Sequence, residues 1–452
     1  MSGPEVAPPA RSAAWTAAVH LLARWLDQGE RIDALLETLP PALSSAERAR
    51  CQHLVLGVVR HFGRLEAALQ RLVAHPPRFT TRAALCVAGF ELIEAAHELA
   101  ADGRAAKIVH HAVEQTKSLA SPAEARLANA VVRKLVTVLA APAPAKNAPP
   151  AQLAEYFSHP EWLVRNWLAQ FGADATRALL EWNQHPATVY ARWRAGAAEA
   201  PPDFLKPTPW AGFFEVESGR WRDVEPLLKD GKLYLQDPGT RLAVELLAPK
   251  PGEIVLDLCA APGGKSLLIA DAMKSGTPAS AKVAAGKLVA LDLPIEEGKS
   301  GARIERLKQN LSRITGVEVA LVQADLGENA AAALRAHNLP ESYAAVLLDA
   351  PCTNTGVMRH RADVKWRLQE GDLNKHPRQQ LSLLHAAARF VAPGGRIVYS
   401  TCSLEAAENA DVVAKFLHGR AGEAFTLEAS AISQPWITGH DGAGAFRLRR
   451  KA

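Results

Sequence analysis

Two cysteines in this chain stand where a nucleophile is useful. Cys352 closes the string Asp349-Ala350-Pro351-Cys352, and Cys402 sits in Ser400-Thr401-Cys402-Ser403. Each string directly follows an apolar run that reads as a buried strand. In open parallel sheets ligands bind beyond the carboxyl ends of the strands, so both thiols fall on the ligand face. A structural cysteine has no reason to prefer that face, whereas an attacking one needs access to its substrate. At an ordinary pKa of about 8.5 only a few per cent of a thiol is ionised at pH 7. The site must therefore lower that value or take the proton as the substrate binds. A thiolate paired with an acid suits one problem in particular, alkylation of a pyrimidine at carbon 5. Carbon 5 of cytosine is a poor nucleophile until a thiolate adds at carbon 6. An acidic group at the N3 edge stabilises that adduct, and Asp349, protonated or sharing a proton, fits the role. A second cysteine beside the ring can assist release.

A third cysteine opens a turn of small residues: Asp257-Leu258-Cys259-Ala260-Ala261-Pro262-Gly263-Gly264-Lys265-Ser266. Small residues let a ligand approach the backbone, and a helix start presents free amides. The spacing is neither that of a phosphate loop nor the dinucleotide GxGxxG, which counts against a nicotinamide oxidoreductase. A ligand carrying a carboxylate and an adenosine suits the turn, with Lys265 to meet an anion. Asp292 after the second strand is placed to accept ribose hydroxyls, and Asp325 after the third to meet an adenine edge.

These residues need a scaffold, and the pattern supplies one. From about residue 245 apolar runs at 254–258, 288–291, 317–322, 345–348 and 396–399 alternate with helix-like segments such as 303–314 and 377–391. Alternation of this kind predicts an α/β Rossmann-like, doubly wound parallel sheet over residues 241–452. The N-terminal part reads differently. Leu54, Val55, Val58, Val59, Phe62 and Leu65 recur at helical spacing, and similar stripes follow, so residues 1–140 form an all-α bundle. Ser121 with Glu124 marks a helix start. The stretch 141–150 alternates Pro and Ala and reads as an extended linker. Residues 151–240 read as a small α/β connecting subdomain holding six of the ten tryptophans, with Arg165, Arg192 and Arg194 among them. Such a mixture can build a stacking and phosphate-binding surface for single-stranded RNA, or simply a core.

Composition narrows the class. The chain has 452 residues, 48% hydrophobic and 22% charged, which excludes a disordered tail or a collagen-like protein. A net charge of +5 permits a nucleic-acid partner without requiring one. Five cysteines without a CxxC pair speak against a disulfide framework or a zinc ribbon, so no metal is expected. No apolar run is long enough to span a bilayer and no secretory signal is evident, so the expected setting is a reducing cytoplasm.

The strings around Cys259, Cys352 and Cys402 resemble the signature motifs of the RNA 5-methylcytosine methyltransferases that use S-adenosyl-L-methionine. Residues 114–117 and 126–133 are similar to the NusB-like domain fused to one branch of that family, the RsmB (Sun, Fmu) type that acts on 16S ribosomal RNA. Ser158-His159-Pro160-Glu161-Trp162-Leu163 and Leu235-Gln236-Asp237-Pro238 look like its connecting segments. The resemblance implies that Cys259, Ala260, Ala261, Pro262, Gly263, Gly264 and Lys265 hold the cofactor, with Asp292 on its ribose and Asp325 on its adenine. It gives Asp349 to the base and the cofactor. It makes Cys402 the nucleophile and Cys352 the residue that helps release product; DNA cytosine methyltransferases use the Pro-Cys cysteine to attack instead. Three stretches depart from the family pattern: 273–287, 294–301 and 441–446, the last lacking paired aromatics. Arg359, Arg361, Lys365 and Arg367 beside the Pro-Cys loop are expected to grip phosphates flanking a flipped cytidine, with a solvated basic face as the alternative. The expected protein is a monomeric ribosomal RNA methyltransferase. The same chemistry on transfer RNA, or a non-catalytic assembly factor, are its rivals.

Overall fold

The computed structural model describes residues 12–97, 103–195, 199–274, 286–295 and 301–452. The chain divides into two units, one of Met1–Pro186 with Met358–Leu368 and one of Ala187–Val357 with Gln369–Ala452.

The first unit is helical. Ala13–Gln28, Ile32–Glu37, Ser45–Leu72, Phe79–His97, Arg104–Leu119 and Pro122–Leu139 pack their apolar stripes together. Trp15, Leu22, Leu54, Leu65, Leu85 and Leu135 are buried in that core, and so are Cys51 and Cys86. Burial pushes both thiols up, Cys51 to about 11 and Cys86, where Glu66 adds to it and Arg82 only partly offsets it, to about 12, so they stay inert. The predicted cap at Ser121 is present, its hydroxyl accepting from the Glu124 amide, and Ser44 with Glu47 forms a second box.

The unit does not end at the Pro/Ala stretch. Helices Pro150–Tyr156 and Glu161–Trp182 follow it and stay with the bundle. The Arg64 guanidinium lies over the Tyr156 ring, Arg71 pairs with Glu155, and Arg177 donates to the Pro144 carbonyl. These contacts fold the stretch back instead of letting it extend.

Segment Met358–Leu368 corrects an expectation. Lys365, expected at the surface, is 1% exposed and donates to the Arg60 carbonyl at 2.9 Å. Its neighbour Trp366 donates to the Val59 carbonyl at 2.7 Å and sets its ring edge-on against Phe62. Arg359 is buried too, its guanidinium 3.9 Å over the Trp182 ring and donating to the Pro186 carbonyl. A side chain committed to the interior cannot reach a phosphate, so Lys365 and Arg359 leave the phosphate-gripping set. Arg361 and Arg367 are exposed, Arg367 with Asp363 as its ion partner.

The second unit holds two sheets. Strands β1 (Tyr190–Trp193), β2 (Leu205–Pro207), β3 (Phe213–Val216) and β4 (Leu233–Leu235) form an antiparallel sheet in the order β2-β3-β1-β4. Here too the basic residues turn inward: Arg192 and Arg194 both pair with Asp271. Of the six tryptophans between 151 and 240, Trp167 is buried, Trp162, Trp182, Trp193 and Trp210 are half-buried and Trp221 is exposed, while Arg165 stays at the surface beside Glu161.

Strands β5 (Ile254–Leu258), β6 (Lys287–Asp292), β7 (Glu318–Gln323), β8 (Tyr343–Asp349), β9 (Val391–Thr401), β10 (Phe425–Ser433) and β11 (Ala443–Arg450) form the main sheet, ordered β10-β11-β9-β8-β5-β6-β7. The five strands read from the sequence pair in parallel. The sheet is nonetheless mixed, because β10 and β11 add antiparallel at one edge. Their alternating polar residues did not read as buried strands. Successive residues of β5 face opposite cores, Val255 on one side, Leu256 and Leu258 on the other. Helices cover both faces, as a doubly wound sheet requires. The order reverses between β5 and β8, which opens a crevice at their carboxyl ends.

Candidate active site

Every strand-end residue singled out from the sequence lies on this one edge. β5 ends at Leu258, and the chain turns through Cys259 at φ 58° and Gly263 at φ 99°. A Cβ on Gly263 would stand 3.0 Å from Leu307 and 3.1 Å from Asn310, so the turn needs glycine there for both angle and space. Asn310 Nδ2 donates to the Pro262 carbonyl at 2.7 Å, and Gln236 Nε2 to that of Gly264 at 3.0 Å. The turn is thus held from two flanks before any ligand arrives. Burial and the nearby carboxylates of Asp292, Asp349 and Asp257 push the Cys259 thiol up, which leaves it a lining residue.

Asp257, inside β5, was not among the expected site residues. It is 1% exposed; Oδ2 accepts from the Ser266 hydroxyl at 2.5 Å, while Oδ1 has no partner among the described residues. Burial, with Asp349 and Asp292 nearby, outweighs the Ser266 bond and raises its pKa to about 7. A charged residue in an otherwise apolar strand is a signal legible in sequence, because a buried carboxylate without partners is costly. An orphaned acceptor behind a glycine cradle fits a ligand that brings a cation. Asp292 accepts from the Ala261 amide at 2.7 Å, the Leu293 amide at 2.7 Å, and Arg303. Burial raises its pKa as well. Asp325 caps its own turn, accepting from the amides of Gly327 at 2.7 Å and Glu328 at 3.2 Å. Of the family-atypical stretches 273–287 and 294–301, residues 275–285 and 296–300 lie outside the described residues.

Across the crevice, Asp349 at the end of β8 accepts from Lys265 Nζ at 2.7 Å and from Ser400 Oγ at 2.9 Å. Lys265 therefore faces the Asp349 carboxylate. Burial works against its charge, but Asp349 more than compensates, and the ammonium is held above its ordinary value.

The two cysteines converge. Cys352 Sγ and Cys402 Sγ stand 3.2 Å apart as free thiols, and Cys402 Sγ lies 3.3 Å from Asn354 Oδ1. They differ in access. Cys352 is buried, whereas Cys402 is part-exposed and lines a cleft with Lys265, Ser400 and Thr401. The facing wall is Asp237, Gly239 and Thr240 with 441–445. Gly356 ties these loops together: its amide donates to the Cys402 carbonyl at 3.0 Å, and its carbonyl accepts from the Gly442 amide at 2.8 Å. A Cβ there would stand 2.5 Å from the Gly442 oxygen. The hydrogen bond to Cys402, burial, and the charges of Cys402 and Glu408 hold the Cys352 thiol well above its usual range. Of the pair, Cys352 is the one built to keep its proton.

The geometry has counterparts among known proteins. Residues 244–438 match the family described as 16S rRNA methyltransferase RsmB/F, and residues 12–137 match the NusB family. A ribosomal RNA small subunit methyltransferase B from Serratia proteamaculans is 28% identical over 431 residues, covering 91% of each chain. A probable ribosomal RNA small subunit methyltransferase B from Bacillus subtilis is 31% identical over 323 residues, covering 68% of this chain and 67% of the relative. The crystal structure of PH0851 superposes with a TM-score of 0.72 at 22% identity, covering 100% of both chains, a likeness of fold.

Proposed function

Because this chain belongs to the RsmB/F family of 16S rRNA methyltransferases, we propose that it methylates carbon 5 of a cytidine in 16S ribosomal RNA through a covalent bond from Cys402 to carbon 6. As a member it is an S-adenosylmethionine-dependent ribosomal RNA methyltransferase. The cytosine position and the adduct are our reading.

S-adenosylmethionine, when bound, supplies an electrophilic methyl group on a cationic sulfur. The residues fit such a ligand. The turn 259–265 gives its backbone close approach, and Asp257 Oδ1 offers an unmatched acceptor for an ammonium. Asp292 and Asp325 are the candidates for ribose and adenine.

The observation that carries the assignment is the asymmetry of the two sulfurs. Cys402 opens to the cleft; Cys352 is buried behind it and keeps its proton. The Cys402 thiolate adds to carbon 6 and the ring's electrons move to carbon 5. The Lys265 ammonium, hydrogen-bonded to Asp349, presents its charge at the N3 edge and stabilises the negative charge that develops there. After methylation, water entering the cleft takes the carbon 5 proton, and the electrons of that bond restore the ring double bond and expel Cys402 as its thiolate. Cys352, 3.2 Å away, donates a hydrogen bond to the departing sulfur. Arg361 and Arg367 remain as the exposed phosphate contacts of the expected set.

The test is a covalent trap. With 16S ribosomal RNA lacking the modification, Cys352→Ala accumulates a protein–RNA adduct, seen as a retarded band on a denaturing gel, and Cys402→Ala forms none and loses methyl transfer. An adduct with Cys402→Ala reverses the roles. Bisulfite sequencing of ribosomal RNA with and without the gene tests the base. Unchanged cytidines would refute the reaction and leave transfer RNA as the substrate to try.

A further inference from the structure

The carboxylate of Glu408 is fully buried and has no cationic partner among the described residues. Oε1 accepts from the Thr353 amide at 3.0 Å and from Gln380 Nε2 at 2.9 Å, and Oε2 accepts from the Thr353 hydroxyl at 2.5 Å. Gln380 also donates to the Pro351 carbonyl at 2.9 Å. Every one of these bonds holds the loop that carries Cys352. The next residue holds the other loop. Asn409 donates to the Ser403 carbonyl at 2.9 Å and accepts from the Thr401 hydroxyl at 2.8 Å. A single short turn thus fastens both cysteine loops and sets the spacing of the two sulfurs.

A neutral glutamine could serve as such a fastener without the desolvation that a buried carboxylate brings. The charge therefore needs its own reason, and its position supplies one. Among the described residues, the titratable groups that act on the sulfur pair are Glu408 and Tyr399 at Cys352 and Lys265 at Cys402. Glu408 acts on Cys352, while the one cation among them, Lys265, acts on Cys402. Negative charge stands behind one sulfur and positive charge beside the other. Resting on the reading that these two cysteines carry the chemistry, we propose that Glu408 is a positioning residue: it fixes the Cys352 loop and, by its charge, keeps the shared proton on Cys352 so that Cys402 is the thiolate.

The proposal is read by titrating thiolate absorbance of the full-length protein in the ultraviolet. The transition belonging to Cys352 is the high-pH one that vanishes in Cys352→Ala. In Glu408→Gln it moves down by about one pH unit, the size expected for removing one nearby charge, and methyl transfer slows with an altered pH profile. Thr353→Val removes the hydroxyl's bonds to Glu408 and to Ser403 but leaves the carboxylate, so the transition stays in place. A transition that does not move in Glu408→Gln, or that moves as far in Thr353→Val, overturns the proposal. If Glu408→Gln does not fold, Thr353→Val alone decides: a stationary transition supports the charge and a moved one refutes it. The adduct assay is independent of this titration, so failure of the nucleophile assignment would show there and not here.

Discussion

Replacing Asp257 by Asn tests the cofactor site without using turnover. The folded protein holds this carboxyl at about 7 against an ordinary 3.8. At pH 6 it is then about nine-tenths protonated, at pH 7 about half, and at pH 8 about one-tenth. An ammonium arriving at Oδ1 would favour the carboxylate and return the group to the usual carboxylate range, so binding must expel that proton. Isothermal titration of S-adenosylmethionine in two buffers of different ionisation enthalpy counts it directly. The expected release is about 0.9 proton at pH 6 and about 0.5 at pH 7, falling towards zero at pH 8. Asp257→Asn should bind more weakly and release none. Wild-type binding heats that are the same in both buffers at pH 6, or a release that survives the substitution, would refute the reasoning. The same shift fixes a sign for stability. A carboxyl raised in the folded state stabilises fully below 3.8, and that contribution is lost as pH rises through about 7. The loss is on the order of 4 kcal/mol, from a shift of about 3 units.

Three other substitutions have definite expectations. Lys265→Met leaves Asp349 with Ser400 alone, and single-turnover methyl transfer should fall by about 10²–10³ while the protein's melting temperature changes little. Lys365 is held well below its ordinary value by burial and by Arg60, so the unfolded chain carries the extra proton below about 10.5 and stability should rise with pH from neutral to alkaline. Lys365→Met should flatten that rise and be more stable at pH 7 by about 1–3 kcal/mol; a melting-temperature difference that is the same at pH 7 and 9.5 would count against it. Trp366→Ala removes a ring packed on Phe62 and a hydrogen bond to Val59, and should cost the first unit about 3 kcal/mol in chemical denaturation.

How much of this was legible follows from what each signal measures. Strand ends were legible, because apolar runs bounded by turns fix where a parallel sheet must stop, and Cys259, Asp292, Asp349 and Cys402 all lie where that logic puts them. Strands β10 and β11 were not: β10 is the edge strand and mixes polar residues along its length, and β11, paired on both sides, carries Arg447, Arg449 and Arg450 among its buried residues. Basic residues that cluster in sequence do not all reach the surface. Arg192 and Arg194 are spent on Asp271, and Lys365 and Arg359 on carbonyls and a tryptophan ring. Composition counts charges but does not say which are desolvated. Asp257 and Glu408 show the converse. Each is an acidic residue whose strand or neighbouring motif was read correctly, yet its weight comes from the partners it lacks, and those exist only in three dimensions.

That distinction bears on how the helical unit should be probed. Deleting residues 1–140 is the obvious way to ask whether the bundle binds RNA. Yet Lys365 and Trp366, a few residues past Cys352 in sequence, have Arg60, Val59 and Phe62 as their partners. Deletion strips those partners and leaves a buried lysine and a large aromatic facing water, next in sequence to the loop that carries Cys352. Lost RNA affinity in the truncated chain would then report a disturbed Cys352 loop as readily as a missing RNA contact. Charge reversals at exposed positions such as Lys107, Lys134 and Arg361 leave that packing intact. If the bundle contributes phosphate contacts, each reversal should weaken binding by a similar factor on any RNA sequence and lower its salt dependence by about one contact. Filter binding at two salt concentrations separates this outcome from no change, which would leave the bundle a structural support for the segment around Trp366.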